Sequence, residues 1–197
     1  MAINLTKGQK ISLTKDENGK ATNLKNCVIG LGWDASDNGT SVDCDAFVLL
    51  LHDGKLNSGH FGSKDKDIVY YGHLKHKSGS VVHCGDNLTG DGDGDDEQII
   101  VHLDEVPAEY DKLVIAVNIY QAERKKQDFG LISNAFMRIV NTDNGKELVR
   151  YNLSDNYDGM TALVFGEIYR HNGEWKLNAI GQGTHDNSIS EFARKYM

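Results

Sequence analysis

Several features that define other protein classes are scarce in this chain of 197 residues. Its three cysteines are an odd number without CxxC spacing, which argues against a disulfide framework or a zinc knuckle. The amino-terminal sequence MAINLTKGQKISL lacks the apolar run of a signal peptide. The longest uninterrupted apolar run, Ala46 to Leu51, is far below the ~18 residues that span a bilayer. We therefore expect a soluble protein of the reducing cytoplasm that does not insert into membranes.

Lysine and arginine are absent from residues 78–111, although that stretch contains ten carboxylates. The whole chain has a net charge of −8, so the remainder carries +2 and the acidity is confined to one region. Phosphate binding needs a basic surface, so we expect no nucleic-acid partner. GxSxG, Walker A and GxGxxG motifs are also missing. Without a convincing nucleophile, base or anion clamp, we expect a protein that is not an enzyme.

Helical periodicity is scarce, and short β-rich runs separated by turn residues dominate the chain. In the run from Leu113 to Tyr120 both faces are largely apolar, which predicts a central strand. Asn144-Gly145 and Asn172-Gly173 have the composition of tight hairpin turns, and Asp53-Gly54 and Asn18-Gly19 resemble them. The ten predicted strands are Cys27–Trp33, Ala46–Leu51, Ile68–Gly72, Val81–Cys84, Gln98–Leu103, Leu113–Tyr120, Ala135–Val140, Glu147–Leu153, Thr161–Arg170 and Glu174–Ile180.

Two short helices are predicted outside these strands. Residues Gln121–Asp128 allow one or two helical turns, and Ser188–Tyr196 begins with an N-cap serine followed by Glu191. Strands at close spacing without intervening helices favour an antiparallel β-sandwich. The sequence therefore predicts one all-β domain over residues 1–197, an antiparallel β-sandwich with short peripheral helices.

The most informative stretch is GDNLTGDGDGDDE at residues 85–97. Two like charges ~4 Å apart cost about 4 kcal/mol at an effective dielectric of ~20, so this folded loop indicates a bound cation. Ca²⁺ suits it, because Ca²⁺ takes oxygen ligands from carboxylates, amides and carbonyls. The alternative is an ordinary solvated acidic turn. The oxygen-bearing side chains of the stretch are Asp86, Asn87, Thr89, Asp91, Asp93, Asp95, Asp96 and Glu97.

A second acidic region contains Asp34, Asp43 and Asp45. Loops at one end of a sandwich converge, so Asp43 and Asp45 are the best candidates to complete a site with residues 85–97. The alternative is that these aspartates are ordinary turn residues. A helix–loop–helix calcium loop is excluded, because a loop starting at Asp91 would place His102 where that motif requires glutamate.

Other candidate groups have simpler interpretations. His83 and Cys84 adjoin the acidic loop, but without a Cys/His cluster we interpret them as a neutral strand pair. Trp33 and Trp175 are interpreted as core anchors, and the basic run 124–126 as a solvated crossover. A metal-dependent hydrolase or another enzyme that acts on a phosphate or other oxyanion stays open as the alternative function, since the acidic cluster could also hold Mg²⁺.

The chain resembles the TerD family of tellurium-resistance and general stress proteins. The resemblance covers nearly the whole chain in order, and the GDN-TG-G-GDDE string is its most specific part. The motifs that carry it are GLGWD at 30–34, DCDAFVLLL at 43–51, GDNLTGDGDGDDE at 85–97, QDFGLISNAFMRIVN at 127–141, ELVRYNLS at 147–154 and FGEIYRHNGEWKLNAIGQG at 165–183.

This resemblance implies a cytoplasmic β-sandwich that binds two Ca²⁺ ions where its acidic loops meet. It also implies a role in resistance to tellurite and other stresses, with an integral membrane protein of the same resistance system as partner. Cys84 stands where relatives often have threonine, and the tail THDNSISEFARKYM lacks the family's glycine-rich ending. The implied metal ligands are Asp34, Asp43, Asp45, Asp86, Asn87, Asp95, Asp96 and Glu97, with Asp91 and Asp93 at looser positions.

Overall fold

The computed structural model describes residues 2–16, 18–22, 24–35, 41–56, 67–86 and 94–197. About half of these residues belong to β-strands, and the helices are short. The strands are β1 (Ile3–Leu5), β2 (Lys10–Ser12), β3 (Asn26–Ala35), β4 (Cys44–Leu51), β5 (Ile68–Val69), β6 (Val81–His83), β7 (Glu97–His102), β8 (Lys112–Ile119), β9 (Ile132–Asn141), β10 (Lys146–Asn152), β11 (Ala162–His171) and β12 (Glu174–Thr184). The helices are α1 (Ala122–Lys125) and α2 (Ile189–Ala193), and 3₁₀ turns span Phe129–Leu131 and Arg194–Tyr196.

The described strands form two sheets of six strands each. Sheet A has the order β1-β10-β9-β3-β7-β6, and sheet B has the order β2-β12-β11-β8-β4-β5. Neighbouring strands are antiparallel except for β1, which runs parallel to β10. This arrangement confirms the predicted all-β sandwich with short peripheral helices.

The main core lies between the two sheets, and β8 shows how alternation builds it. Leu113 and Ile115 point inward and pack in one cluster with Ile29 and Leu31 of β3. Val114 on the opposite side of β8 belongs to a second buried cluster. Because both faces of β8 are covered and it pairs with β4 and β11, it is the central strand that its sequence predicts.

The second cluster lies on the outer face of sheet B, where α2 covers it. Phe192 of α2 packs edge-on against Phe47 of β4, with ring centroids 5.1 Å apart. Ser188 caps α2, since its hydroxyl accepts a hydrogen bond of 3.1 Å from the Glu191 amide. The predicted carboxy-terminal helix is thus confirmed, and it shields apolar residues that would otherwise face water.

Two of the predicted tight turns have the backbone that their sequences require. Asn172 and Gly173 have φ of 51° and 75°, and Asp53 and Gly54 have φ of 50° and 76°. Positive φ at both central residues defines the turn whose twist matches the flanking strands. Asn144-Gly145 was expected to behave in the same way, but β9 ends at Asn141 and β10 starts at Lys146. That prediction was wrong, because the connection has four residues and only Gly145 has positive φ.

The edge strands β1 and β2 were absent from the sequence prediction. Each has three residues, and most of their side chains are exposed or half-buried. So short a segment carries little alternation, and its strand character depends on pairing with β10 and β12.

Candidate metal site

Four strand ends meet at one end of the sandwich and bring the acidic segments together. The carboxyl ends of β3 and β6 lie beside the start of β7, because both strands are antiparallel to it. The start of β4 in the facing sheet joins them through Glu97, whose Oε2 accepts a hydrogen bond of 2.5 Å from the Ala46 amide. Glu97 is buried and therefore links the two sheets at this end.

Three carboxylates from two loops form the candidate metal site. One oxygen from each of Asp43, Asp45 and Asp86 lies within 4.8 Å of the others. Asp43 and Asp45 flank the first residue of β4, whereas Asp86 follows β6. The structure thus places side chains of the two predicted acidic regions next to each other. We call these three residues the aspartate triad.

Asp45 is the most buried member of the aspartate triad, with 3% of its surface exposed. Burial, followed by the charges of Glu97, Asp43 and Asp86, raises the pKa of Asp45 to about 8, although Lys125 opposes the shift. Its ordinary value is 3.8. The site therefore favours either a proton or a cation at Asp45, and a divalent cation can replace that proton.

Asp43 is only partly neutralised by the protein. Its Oδ2 lies 3.1 Å from the Lys125 ammonium, which comes from α1. Its Oδ1 is buried and, among the described residues, has no hydrogen-bond partner. A buried carboxylate oxygen without a donor is costly, so this atom fits a metal ligand.

His83 of β6 contacts residues beside the site but does not belong to the aspartate triad. Its Nε2 lies 3.2 Å from the Ala46 carbonyl and 3.5 Å from Glu97 Oε2. The imidazole is buried between the sheets, whereas Cys84 is exposed. His83 and Cys84 therefore occupy the end of a strand pair, as interpreted from the sequence.

Asp95 has a different environment from the aspartate triad. Its carboxylate accepts two hydrogen bonds from Arg138 on β9, at 2.7 and 3.0 Å, and one from Gln98 at 2.9 Å. The Asp95 side chain is 1% exposed. The hydrogen bonds that Arg138 donates to Asp95 raise the pKa of Arg138 above its ordinary value.

Gly30 makes this ion pair possible. Gly30 of β3 pairs with Gln98 on one side and Arg138 on the other, and the Asp95 carboxylate lies over it. A Cβ atom at position 30 would lie 2.3 Å from both carboxylate oxygens of Asp95. This close approach explains why the first residue of the GLGWD motif is glycine, since any side chain there would overlap the Asp95 carboxylate.

The other predicted ligands have separate positions. Asp96 Oδ2 accepts a hydrogen bond of 2.7 Å from the Trp33 amide, and Asp34 Oδ2 accepts one of 2.8 Å from Asn134. Neither is part of the aspartate triad, and their roles as ligands stay predictions, as do those of Asp95 and Glu97. Asn87, Asp91 and Asp93 lie outside the described residues.

Sequence reasoning missed the two basic residues that reach the acidic segments. Lys125 was interpreted as part of a solvated crossover, but its ammonium contacts Asp43 and lies 5.1 Å from the centre of the Tyr120 ring. Arg138 is a single base within an apolar strand, a pattern that indicates a buried partner. Trp33 and Trp175 are 4% and 5% exposed, which confirms both as core anchors.

The donor chemistry of the aspartate triad fits a hard cation. Its side chains offer carboxylate oxygens, the ligands that Ca²⁺ and Mg²⁺ prefer. Burial and the surrounding carboxylates raise the pKa of the neighbouring Cys44 thiol well above its ordinary value. Cys44 therefore stays a thiol rather than becoming a thiolate ligand for a soft metal.

Two six-stranded sheets with an acidic cluster where their loops meet place this chain in the class of β-sandwich domains with a candidate cation site. The model of the TerD domain matches residues 1–196, and the chain belongs to this family of tellurium-resistance and stress-response proteins. "Stress response protein SCP2" of Bacillus subtilis (strain 168) is 47% identical over 209 residues, covering 100% of both chains. "Tellurium resistance protein TerD" of Serratia marcescens is 46% identical over 185 residues, covering 93% of this chain and 91% of the relative.

Solved structures support the fold. A protein described as being of unknown function superposes with a TM-score of 0.69 at 20% identity, covering 87% of this chain and 96% of that chain. A homologue of telluride resistance protein (TerD) from Streptomyces coelicolor A3(2) gives a TM-score of 0.65 at 18% identity, covering 85% and 94%. At these identities the likeness establishes the architecture alone.

The names of the relatives describe resistance and stress response rather than catalysis, in agreement with the expectation of a protein that is not an enzyme. Within the part of the chain that the structure describes, no helix has the length and apolar character needed to cross a bilayer.

Proposed function

We propose that this TerD domain is a Ca²⁺-binding stress-response protein of the tellurite-resistance type. The observation that carries the proposal is the aspartate triad, with its buried Asp45 and an Asp43 oxygen that has no hydrogen-bond partner among the described residues. Asp43, Asp45, Asp86 and the adjacent Glu97 bring four carboxylates together, whereas Lys125 supplies one positive charge. A divalent cation compensates most of the remaining negative charge.

Ca²⁺ is the ion we favour over Mg²⁺. Ca²⁺ accepts 6–8 oxygen ligands in flexible geometry, whereas Mg²⁺ demands a near-octahedral set and retains several waters. The acidic, glycine-rich stretch 85–97 offers many carboxylate and amide oxygens for such a flexible set. Asp43, Asp45 and Asp86 would hold one ion, and the number of acids in the stretch agrees with the second ion that the family resemblance implies.

The loop end is also the docking surface that we propose for a partner. Bound Ca²⁺ would fix the two acidic loops relative to each other and neutralise their repulsion. Asp86 is exposed and marks the outer rim of this end. We infer that the partner is an integral membrane protein of the tellurite-resistance system and that the complex forms at the cytoplasmic side of the membrane. Equal recovery of that membrane protein with Ca²⁺ and with chelator would contradict this part of the proposal.

A calorimetric titration with Ca²⁺, paired with thermal melting in Ca²⁺ and in chelator, tests the metal site. At free Ca²⁺ of 100 times the dissociation constant, a ligand specific for the folded state adds about 2.7 kcal/mol of stability. For a domain of this length that corresponds to an increase of roughly 5–11 °C in Tm. Titration with Mg²⁺ under the same conditions should give weaker binding.

Asp43→Asn should weaken Ca²⁺ binding, because it replaces an anionic ligand by a neutral one. Asp53→Asn is the matched control, since Asp53 lies in a turn beyond the opposite end of β4 and its side chain is 87% exposed. Identical melting curves with chelator and with millimolar Ca²⁺ would remove the support for the proposal. Chelator-sensitive turnover of phosphoesters would instead revive the hydrolase alternative.

A further inference from the structure

An open cavity of about 340 Å³ lies next to the aspartate triad, on the outer face of sheet B. Asp45 and Asn118, which are paired across β4 and β8, form part of its lining. The residues around Ser188 at the start of α2 form another part. A cavity of this size accommodates a small organic molecule.

Tyrosine rings form much of the cavity wall. Tyr70 and Tyr71 have ring centroids 5.3 Å apart at an interplanar angle of 84°, and Tyr71 and Tyr120 are 6.3 Å apart at 89°. Tyr71 and Tyr120 are 37% and 38% exposed, which is unusual for large aromatic side chains gathered in one place. Rings set at right angles present their faces in different directions and can enclose a rounded ligand on more than one side.

The face of an aromatic ring attracts cations through its quadrupole, and enclosures of several rings recognise quaternary ammonium groups. The protein already uses one of these rings in this way, since the Lys125 ammonium lies 5.1 Å from the centre of Tyr120. The cavity wall is therefore suited to a positively charged ligand.

The polar groups of the cavity also favour a cation. The Asp45 side chain supplies a carboxylate that is 3% exposed. Gln121 lines the same cavity, and its Oε1 is buried and has no hydrogen-bond partner among the described residues. Among the described residues that line the cavity, none is lysine or arginine. The Lys125 ammonium that lies near Tyr120 is already paired with Asp43, and a cation in the cavity would find the Asp45 carboxylate and ring faces.

We propose that this cavity is a binding site for a small organic cation of the quaternary ammonium class. The faces of Tyr71 and Tyr120 contact its alkyl groups, and Asp45 supplies the opposite charge. Gln121 accepts a hydrogen bond from a hydroxyl or N–H on the remainder of the ligand. Asp45 is shared with the aspartate triad, so Ca²⁺ and the organic cation compete for its charge and each weakens the binding of the other.

The test compares choline with 3,3-dimethylbutan-1-ol, in which a neutral carbon replaces the ammonium nitrogen while the shape is kept. Binding is measured by NMR titration of the full chain in chelator at pH 9, where the Asp45 carboxylate is ionised, so the result does not depend on the Ca²⁺ site. Choline should bind at least about tenfold more tightly than the alcohol, because only choline gains the cation–π and carboxylate interactions. Titration in Ca²⁺ should then give weaker choline binding.

Substitutions locate the site. Tyr71→Leu and Tyr120→Leu should each weaken choline binding by about tenfold, whereas Tyr71→Phe should preserve it because the ring face remains. Tyr169→Leu is the matched control, since Tyr169 lies on β11 outside the cavity lining.

Three results would overturn the proposal. The first is no choline binding at tens of millimolar, and the second is equal affinity for choline and the neutral alcohol. The third is choline affinity that does not change in either leucine variant of the cavity tyrosines. Because all three are measured without metal, they are independent of the outcome of the Ca²⁺ titration.

Discussion

Binding of Ca²⁺ at the aspartate triad should release a proton from Asp45. Burial and the charges of nearby carboxylates raise the pKa of Asp45 to about 8, so at neutral pH the metal-free site holds a proton there. A metal ligand must be deprotonated, so Ca²⁺ displaces that proton. At pH 7 we expect release of nearly one proton for each ion bound at the triad.

The same pKa sets the size of the pH dependence. Below a pKa of about 8, the apparent affinity for Ca²⁺ should fall about tenfold for each pH unit, or roughly fiftyfold between pH 8 and pH 6. Without Ca²⁺, Asp45 contributes stability that is fully present below its ordinary value of 3.8 and is lost as pH rises towards 8. Over that window the free energy of unfolding should decrease by up to about 1.4 kcal/mol per pH unit from this group.

Isothermal titration calorimetry in buffers of different ionisation enthalpy measures the released protons directly. Dissociation constants at pH 6, 7 and 8 give the second measurement, and urea denaturation in chelator gives the third. Asp45→Asn should abolish the proton release, whereas Asp53→Asn should leave it unchanged. A Ca²⁺ affinity that is constant from pH 6 to pH 8 would refute the argument, because Asp45 would then not be a ligand that loses its proton.

Two further predictions concern buried polar contacts away from the triad. Arg138→Gln leaves the buried Asp95 carboxylate without its two charged hydrogen bonds and should lower the free energy of unfolding by about 3 kcal/mol in urea denaturation. Tyr110→Phe removes the 2.6 Å hydrogen bond to Asp67, whose side chain is fully buried, and should cost about 1–3 kcal/mol in the same assay.

Each of these substitutions has a control. Adding Asp95→Asn to Arg138→Gln should recover part of the lost stability, since the stranded charge is removed; a further loss equal to the first would contradict this explanation. Tyr120→Phe removes the hydroxyl of a residue that is 38% exposed and should change stability by less than about 0.5 kcal/mol. If Tyr110→Phe is equally neutral, the Asp67 hydrogen bond does not contribute as argued.

Most of the fold could be predicted from the sequence, because the strands of this sandwich carry clear local patterns. The apolar residues on both faces of β8 predicted a central strand, and Asn172-Gly173 predicted a turn with positive φ at both residues. The amino-terminal strand β1 could not be predicted, since its partner β10 lies more than 140 residues away and the strand itself has three residues. The four-residue turn before Lys146 was missed because Asn-Gly is also compatible with a longer connection.

The candidate site was predictable in outline only. The density of carboxylates at 43–45 and 85–97 predicted that these regions meet, and Asp43, Asp45 and Asp86 do lie together. Sequence alone could not assign Asp95 to Arg138, because that contact depends on strands β3, β7 and β9 lying side by side. Nor could it show the cavity tyrosines, since Tyr71 and Tyr120 are adjacent only in the folded chain.

The close approach of Asp95 to Gly30 has a consequence for how the acidic stretch is held in place. Near the end of that stretch, Asp95 is anchored to the middle of sheet A. There β3 supplies the backbone of Gly30, β7 the side-chain amide of Gln98 and β9 the guanidinium of Arg138. Even a methyl group at position 30 would compete with the carboxylate for the same space. The absence of a side chain at Gly30 thus fixes where Asp95, near the end of this stretch, is held against sheet A.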